Sequence, residues 1–512
     1  MSMQERIGLK LGEFFDPIYT RDPDGIPFFK MLINGEWFFS VSKKMIDVDT
    51  PIDGSVIARV SNATRDEVER AIEVAYGSKP KIRNIPGIER IMIFEKAAHL
   101  IMKYKDDFVR TLMLEAGKPK RDAEGEVRAT VDRLMLTMEE ARKIFGEYIP
   151  GDWSDDTTGK IALVIREPVG VVVAISPFNY PLYIASAKII PALLAGNTVV
   201  SKQSSEDPIT LLLFARILEE AGIPPGTLNM VTGSGELGDY LVPNEKVAAI
   251  NFTGSTNVGR RIAKTAGLKK LHLELGGKGM AIVLEDADLD LAAKRCVEGS
   301  LKNAGQRCDA ISAVMVVESV ADEFARKVVD EVRNWKHGDP RDPSVKVGPV
   351  INLVAAQRIQ GLVDDAKEKG ARLLAGGSHK DCYFVPSVIY DVPLVARIAW
   401  EETFGPVVTI MKIKSEDEAI EIGKKSRYGL DSCIFTNNFY KMWKVAKRLE
   451  TGEVTINDLP RHGVGYFPFG GSKESGIGRE GIGYSIEEMT QLKTIIFNLE
   501  PAGLGKAKKV YL

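Results

Sequence analysis

Short apolar runs alternate with helical segments along most of this chain, and the alternation limits the folds it can adopt. NTVVSK (197–202) precedes PITLLLFARILEEAG (208–222), which has helical periodicity, and AAINFTG (248–254) is another apolar run. A second series of the same kind contains GMAIVL (279–284) and ISAVMVVE (311–318). Apolar strands separated by helical crossovers are typical of parallel sheets buried on both faces. The sequence therefore predicts two α/β units, each built on a parallel sheet.

Three further segments complete the predicted architecture. Residues 64–145 have the periodicity of amphipathic helices, and IALVIREPVGVVVAIS (161–176) predicts two strands. QLKTIIFNLEP (491–501) predicts a strand that leaves the body, an arm suited to pairing between subunits. A length of 512 residues corresponds to about three structural units.

Composition excludes several classes of protein. The net charge of −2 gives no reason to expect nucleic acid or an anionic membrane as a partner. The first 15 residues lack the apolar block of a signal peptide, and we find no apolar run of the roughly 18 residues that a membrane span needs. The four cysteines form no CxxC pair, which argues against disulfides and a metal site. We expect a cytoplasmic protein without a bound metal.

Two glycine-containing turns are candidates for binding phosphate. GSGELG (233–238) matches the GxGxxG fingerprint after a strand, but no acidic residue ends a further strand at the usual spacing. NFTGSTNVG (251–259) also joins a strand to a helix start, where free N–H groups and the helix dipole suit a pyrophosphate. Its Ser255 could equally be a simple helix cap. The residues alone do not distinguish the two turns.

Cys308 is the candidate nucleophile. It follows Arg307 directly in NAGQRCDA (303–310), where a cation would handle an anion and lower the pKa of the thiol. Most cysteines are small core residues, so burial is the alternative interpretation.

Four motifs in a fixed order give the chain a family resemblance. They are SPFNYPL (176–182), LELGGK (273–278), GQRC (305–308) and EETFGP (401–406). In this order and at these separations they resemble the aldehyde dehydrogenase superfamily. The resemblance extends from about residue 30 to the C-terminus.

The resemblance implies an α/β fold with two parallel-sheet, Rossmann-like domains and a small β arm for oligomerisation. A coenzyme-binding domain would comprise 1–145 and 167–273, and a catalytic domain would comprise 274–487. The arm would comprise 146–166 and 488–512 and would make dimers or tetramers.

The resemblance also implies three catalytic residues. Cys308 would attack an aldehyde carbonyl and form a thiohemiacetal. Asn179 would donate its amide to the developing oxyanion. Glu274 would activate the water that cleaves the thioester, which favours a free acid as the product.

A nicotinamide cofactor follows from the same resemblance. Lys202 would contact the adenosine ribose, Gly254 and Ser255 the pyrophosphate, and Glu402 with Phe404 the nicotinamide ribose. Ser205 stands where NAD-preferring members often carry glutamate, so we expect NADP, with NAD usable. The full predicted set is Pro177, Lys202, Ser205, Gly254, Ser255, Gly276, Glu402 and Phe404.

Arginine next to the nucleophile is typical of the non-phosphorylating glyceraldehyde-3-phosphate dehydrogenases within this family. Arg128, Arg307 and Arg461, with Asn179, would bind the phosphorylated aldehyde, although His462 could take the place of Arg461. The expected reaction converts D-glyceraldehyde 3-phosphate to 3-phosphoglycerate with NADP⁺ and water. The alternatives are another anionic aldehyde, such as succinate semialdehyde, and a cofactor-independent cysteine esterase.

Overall fold

The computed structural model describes residues 7–461 and 463–499 as two large sheets with surrounding helices and smaller sheets. The helices are α1 (Arg65–Gly77), α2 (Lys79–Arg83), α3 (Gly87–Lys103), α4 (Lys105–Glu115), α5 (Lys120–Ala141), α6 (Pro181–Leu194), α7 (Ile209–Ala221), α8 (Gly238–Leu241), α9 (Thr256–Thr265), α10 (Leu289–Leu301), α11 (Glu318–Val332), α12 (Leu353–Glu368), α13 (Glu416–Lys425), α14 (Phe439–Arg448) and α15 (Ile482–Glu488).

The strands follow the same chain order. They are β1 (Tyr19–Arg21), β2 (Pro27–Phe29), β3 (Met31–Ile33), β4 (Glu36–Phe38), β5 (Met45–Asp49), β6 (Val56–Ser61), β7 (Glu147–Pro150), β8 (Lys160–Pro168), β9 (Val171–Ser176), β10 (Thr198–Gln203), β11 (Leu228–Met230), β12 (Val247–Thr253), β13 (Lys270–Glu274), β14 (Gly279–Val283), β15 (Ile311–Val317), β16 (Arg372–Ala375), β17 (His379–Lys380), β18 (Tyr383–Phe384), β19 (Ser387–Tyr390), β20 (Val407–Ile413), β21 (Tyr428–Gly429), β22 (Asp431–Phe435), β23 (Glu453–Ile456), β24 (Ser472–Lys473), β25 (Gly476–Ile477) and β26 (Thr490–Asn498).

The first large sheet has the strand order β25-β13-β12-β9-β10-β11-β3-β4. Strands β13, β12, β9, β10 and β11 are parallel, as the alternating pattern predicts. All six residues of β10 are buried. Because these strands are parallel, their carboxyl ends lie at the same edge of the sheet. Ligands bind at this edge in open α/β sheets.

The second large sheet has the order β16-β19-β20-β15-β14-β22-β23 and is parallel except for β16. Every residue of β14 and β15 is buried. Helices α10 and α11 contact this sheet through β15. The two predicted parallel α/β units are confirmed by this arrangement.

Local sequence signals set several helix ends. Thr64 and Glu67 form a reciprocal capping box at the start of α1, so two of the free N–H groups of its first turn are satisfied. Gly222, with φ of 108°, ends α7 in the left-handed conformation that glycine adopts without strain. Among the described residues, the helices are too short or too polar to cross a membrane.

The arm is a three-stranded sheet of order β26-β8-β7. Strand β26 pairs with β8 from Thr490–Pro168 to Asn498–Lys160, and most of β26 is exposed. Strand β8 ends at Pro168, two residues beyond the predicted boundary at 166. Residues 500–512 of the predicted arm, like residues 1–6 of the coenzyme-binding segment, lie outside the described residues.

Two features of the fold differ from the predictions. Residues 19–61 contribute a four-stranded sheet of order β1-β2-β6-β5, which the sequence patterns did not predict because its strands are short and partly exposed. Strand β25 pairs with β13 of the first sheet, and α15 contacts α5 and α6. The stretch from β25 to α15, predicted to be part of the catalytic domain, therefore lies on the first sheet, where it covers the open edge of β13.

Candidate active site

A cavity of about 660 Å³ lies at the carboxyl edge of the first sheet and reaches the start of the second. It brings together most of the predicted site residues, although they come from distant parts of the chain. The predicted residues that line it are Pro177, Asn179, Lys202, Gly254, Ser255, Gly276, Cys308, Glu402 and Phe404. Glu274, Ser205 and the three predicted arginines are not among the lining residues.

A tight left-handed turn presents Cys308 to the cavity. Asn303, Ala304 and Gly305 have φ angles of 53°, 53° and 69° just before the cysteine. A Cβ at Gly305 would lie 2.1 Å from the carbonyl oxygen of Gly405, so only glycine fits there. Cys308 is partly exposed, whereas Cys296 and Cys433 are buried. The interpretation of Cys308 as an enclosed core residue is therefore wrong.

Arg307 does not activate the thiol as the sequence suggested. Its Nε and Nη2 donate to the carboxylate of Asp309, at 3.0 and 2.6 Å. The pKa of Cys308 is raised well above its ordinary value, first by burial and then by the negative charges of Asp309 and Asp431. Burial and these carboxylates therefore outweigh the attraction between Arg307 and the thiolate, and the net shift of the Cys308 pKa is upward, opposite to the direction expected from Arg307 alone.

Asn179 is fixed by contacts on its backbone carbonyl. Lys118 donates to this oxygen from Nζ at 2.8 Å, and Asn303 donates from Nδ2 at 3.0 Å. Lys118 also forms a fully buried ion pair with Glu126. The other carboxylate oxygen of Glu126 accepts from the backbone N–H of Leu182 at 2.9 Å, at the start of α6. The loop that carries Asn179 is thus held from three directions, and its side chain lines the cavity.

Glu274 lies at the end of β13 and is only 3% exposed. Its Oε1 is 3.0 Å from Nε2 of His272, and Glu274 is not among the residues that line the cavity. Burial raises the pKa of Glu274 well above its ordinary value, and the charge of Glu480 raises it further, while Lys188 lowers it. A carboxyl group with a raised pKa, close to a nucleophile, is suited to proton transfer.

One end of the cavity combines a buried cation with a helix start. Lys202 is the last residue but one of β10 and is 7% exposed, and burial lowers its pKa to about 8. Ser255 caps α9, since its Oγ accepts from the N–H of Val258 at 3.4 Å. A Cβ at Gly254 would lie 2.5 Å from the ring of Phe252, so a side chain does not fit at this position. Without a side chain, the backbone of Gly254 stays accessible to a ligand. These groups fit the phosphates and the ribose of a dinucleotide.

Two details at this end differ from the sequence expectations. Gly235 and Gly238 of the GSGELG turn line the same cavity as Gly254, so the two glycine turns are not exclusive alternatives. Ser204, not Ser205, lines the cavity beside Lys202. Ser204 and Ser205 both follow the end of β10 at Gln203, and Ser205 is not among the lining residues.

The other end of the cavity is built on the loop that carries Glu402. The N–H of Gly277 donates to Oε1 of Glu402 at 3.1 Å, and a Cβ at Gly276 would lie 2.8 Å from Oε2 of the same carboxylate. Lys278 holds the loop from beneath, donating to the carbonyl of Ile398 at 2.7 Å. A carboxylate fixed in this way can accept hydrogen bonds from ribose hydroxyls. The cavity thus fits a nicotinamide dinucleotide along its length.

The predicted phosphate-binding arginines do not line the cavity. Arg128 is exposed on α5, and Arg461 is half exposed and pairs with Glu298 at 3.0 Å. Arg307 is 7% exposed, and its Nη1 has no hydrogen-bond partner among the described residues. Lys302, which was not predicted from the sequence, lies near Arg307 and Arg461. Burial lowers the pKa of Lys302, and the positive charges of these two arginines lower it further. His462 lies outside the described residues.

Several other residues around the site were not predicted from the sequence. Some are positive or aromatic side chains that line the cavity but belong to no predicted motif. Others surround Glu274, one from two residues away on the same strand and two from distant elements, which periodicity does not reveal. The missed residues are Arg261, Arg358, Arg427 and Tyr428 in the cavity, and Lys188, His272 and Glu480 around Glu274.

A partly exposed thiol and a carboxamide-bearing residue border a cavity that fits a dinucleotide, on two parallel sheets. These features define a class of cofactor-dependent oxidoreductases with a cysteine nucleophile. Comparison with known proteins gives the family: the model of the "Aldehyde dehydrogenase family" matches residues 37–495. The chain belongs to the aldehyde dehydrogenase family, and it is an enzyme of that class.

Individual relatives differ in their substrates. The chain is 42% identical to the NADP-dependent glyceraldehyde-3-phosphate dehydrogenase of Streptococcus equinus, over 92% of this chain and 99% of that one. It is 37% identical to the lactaldehyde dehydrogenase of Methanococcus maripaludis, over 91% of this chain and 100% of that one. A crystal structure of NADP-dependent glyceraldehyde-3-phosphate dehydrogenase from Bacillus halodurans, complexed with NADP, superposes with a TM-score of 0.90 at 40% identity, covering 92% of this chain and 99% of that one.

Proposed function

We propose that this aldehyde dehydrogenase oxidises D-glyceraldehyde 3-phosphate to 3-phosphoglycerate with NADP⁺ and water, without forming an acyl phosphate. The observation that carries the proposal is the meeting of Cys308 and Asn179 in the cavity that also contains Lys202 and Glu402. A nucleophile, an oxyanion donor and groups suited to a dinucleotide are thereby combined in one site.

Acylation uses Cys308 and Asn179. The Cys308 thiol gives up its proton to solvent in the cavity, and its sulfur forms a bond to the aldehyde carbon. The carbonyl oxygen takes the negative charge and accepts a hydrogen bond from the side-chain amide of Asn179. NADP⁺, when bound, supplies the hydride acceptor. Loss of hydride from the carbon of the thiohemiacetal leaves a thioester on Cys308.

Deacylation uses Glu274. Its carboxylate takes a proton from water while the water oxygen bonds to the thioester carbon. The carbon–sulfur bond then breaks, and Cys308 leaves as a thiolate with 3-phosphoglycerate as the product. Because Glu274 does not line the cavity in this structure, its side chain must turn toward Cys308 for this step.

Two cations support a phosphorylated substrate. Arg307 adjoins the nucleophile and keeps Nη1 without a protein hydrogen bond among the described residues, and Lys302 lies in the same electrostatic neighbourhood. A guanidinium N–H and an ammonium group both match phosphate oxygens. The 42% identity with the streptococcal glyceraldehyde-3-phosphate dehydrogenase points the same way. Arg128 and Arg461 are not part of this proposal, since Arg128 is exposed on α5 and Arg461 pairs with Glu298.

An aldehyde panel with NADP⁺ and NAD⁺ assayed separately tests the proposal. We expect kcat/KM to be highest for D-glyceraldehyde 3-phosphate with NADP⁺, at least tenfold above L-lactaldehyde and succinate semialdehyde. Lys302→Met should lower kcat/KM for the phosphorylated aldehyde and leave that for unphosphorylated glyceraldehyde unchanged. A preference for lactaldehyde or succinate semialdehyde would overturn the substrate. Ester hydrolysis without any nicotinamide reduction would overturn the reaction class.

We also propose that the arm of β26, β8 and β7 joins subunits into a dimer or a tetramer. Leu492, Ile496 and Phe497 are exposed along β26, which is costly for an isolated chain. Light scattering of the full-length protein should give a mass of two or four chains, and a monomer at micromolar concentration would contradict the proposal.

A further inference from the structure

His272 and Glu274 form a buried pair on one face of β13. They are two residues apart, so their side chains leave the strand on the same side. Nε2 of His272 lies 3.0 Å from Oε1 of Glu274, and each side chain is only 3% exposed. The pair is therefore shielded from solvent, in a place where a hydrogen bond has a large effect on charge.

The carboxyl group of Glu274 occupies a recess beside Gly470. A Cβ at Gly470 would lie 2.9 Å from Oε1 of Glu274, and Gly470 has φ of 154°. In this recess, His272 holds the carboxyl group by its Oε1, and Oε2 has no hydrogen-bond partner among the described residues.

The charges around the pair keep the imidazole neutral. Burial lowers the pKa of His272 to about 3, and the positive charge of Lys188 acts in the same direction. A neutral imidazole offers one N–H, and with the proton on Nε2 it donates to a carboxylate. The charged groups that face the pair from neighbouring elements are Arg133, Lys188, Lys270, Arg479 and Glu480.

We propose that His272 is a positioning residue for Glu274: its Nε2–H holds the side chain in the recess beside Gly470 as a carboxylate, ready to turn toward Cys308. The proposal rests on the proposed function, in which Glu274 is the base of deacylation. A hydrogen bond donated to the charged form favours that form and opposes the effect of burial. In this proposal the hydrogen bond from His272 partly offsets the rise in the pKa of Glu274 that burial causes.

The proton balance assigns no proton transfer to His272. In deacylation Glu274 gains the proton of water as the oxygen–carbon bond forms, and the carbon–sulfur bond to Cys308 breaks. The proton leaves Glu274 for solvent before the carboxylate returns to His272. The imidazole stays neutral throughout, so its role differs from that of a general base.

Two variants separate positioning from structure. His272→Leu fills the space without a donor, whereas His272→Gln places an amide N–H near the position of Nε2. The measurement is stopped-flow absorbance of reduced cofactor, which resolves a first turnover from the steady state, over pH 5 to 9. Circular dichroism and the Kd for NADPH check that each variant is folded.

In His272→Leu we expect the apparent pKa of the steady-state phase to rise by about one unit, and turnover below that pKa to fall roughly tenfold. The rate and amplitude of the first turnover and the KM for the aldehyde should match the wild type. His272→Gln should restore the pH profile. A wild-type steady-state profile in His272→Leu, or equal losses in both phases in both variants, would overturn the proposal.

A second measurement does not depend on turnover. Infrared difference spectra between the wild type and Glu274→Gln report the protonation of the Glu274 carboxyl group directly. The same pair of spectra in the His272→Leu background should show a raised pKa, and an unchanged pKa would overturn the proposal. Failure of the proposed function has a different signature, since Glu274→Gln would then leave the steady-state rate of the wild type unaltered.

Discussion

Asn303 donates from Nδ2 to the backbone carbonyl of Asn179 at 3.0 Å, so the loop ahead of the nucleophile holds the loop of the oxyanion donor. The same Nδ2 lies 3.4 Å from the carbonyl of Gln306, two residues before Cys308. The two loops come from different large sheets. One side chain therefore fixes the relative position of two groups that must act on the same carbonyl.

Removing this contact should slow the reaction without removing a reacting group. Asn303→Gly keeps the left-handed backbone, with φ of 53° at this position, and deletes only the amide. We expect kcat to fall roughly tenfold to a hundredfold, because small misplacements of catalytic groups are costly. Steady-state kinetics with unchanged cofactor affinity will check this. A kcat equal to that of the wild type would show that Asn179 is fixed by its other contacts alone.

Loss of the thiol should separate chemistry from binding. In Cys308→Ala no bond to the aldehyde carbon can form, so cofactor reduction should be undetectable. The cavity residues that contact a dinucleotide are unchanged, and calorimetry should give a Kd for NADPH within about twofold of the wild type. Residual turnover within tenfold of the parent enzyme would contradict the assignment of Cys308.

The raised pKa of Cys308 has a measurable consequence in the enzyme without cofactor. A thiol whose pKa is raised is mostly protonated at neutral pH, and its thiolate fraction grows as the pH approaches that pKa. The rate of alkylation by iodoacetamide should therefore still be rising at pH 9. Cys308→Ala provides the background from Cys382, which is also partly exposed. A plateau below pH 8 would mean that a nearby cation dominates the pKa.

Cofactor affinity should depend on the charge of Lys202. Burial lowers its pKa to about 8, so the ammonium form exists below pH 8 and is lost as the pH rises through that value. We expect the Kd for NADPH to increase between pH 7 and pH 9. In Lys202→Arg the charge persists, and the Kd should be flat over the same range. Equal pH dependence in both proteins would assign the effect to another group.

The buried pair of Lys118 and Glu126 should matter more for stability than any surface pair. Lys118→Met leaves the carboxylate of Glu126 buried without its cation, and such a loss typically costs about 3–5 kcal/mol of unfolding free energy. Lys143→Met removes the exposed pair with Glu140 and should leave the melting temperature nearly unchanged. Urea unfolding of both variants will compare them. Similar midpoints would show that the buried pair is replaceable.

The sequence predicts the parts of the site that lie within continuous motifs. Cys308 and Asn179 follow from the resemblance, and the strand ends that carry Lys202 and Gly254 follow from the alternating pattern. What the sequence does not reveal is which charged side chains pair with each other. Asp309 neutralises Arg307 because of side-chain orientation, which a motif does not specify.

The surroundings of Glu274 show the same limit. His272 is two residues away, but its contact depends on both side chains turning into the recess, and Glu480 arrives from more than 200 residues further along. The four-stranded sheet of residues 19–61 was missed for a related reason, since short strands with exposed faces lack a strong periodic signal.

Strand β25 has a consequence for the order in which the molecule forms. It hydrogen-bonds to β13, and the N–H of Leu275 donates to the carbonyl of Ser475 at 2.9 Å, so residues made late in synthesis complete a sheet begun early. The flank of Glu274 is therefore covered only once residues 476 and 477 have been synthesised, about 200 residues after β13 itself.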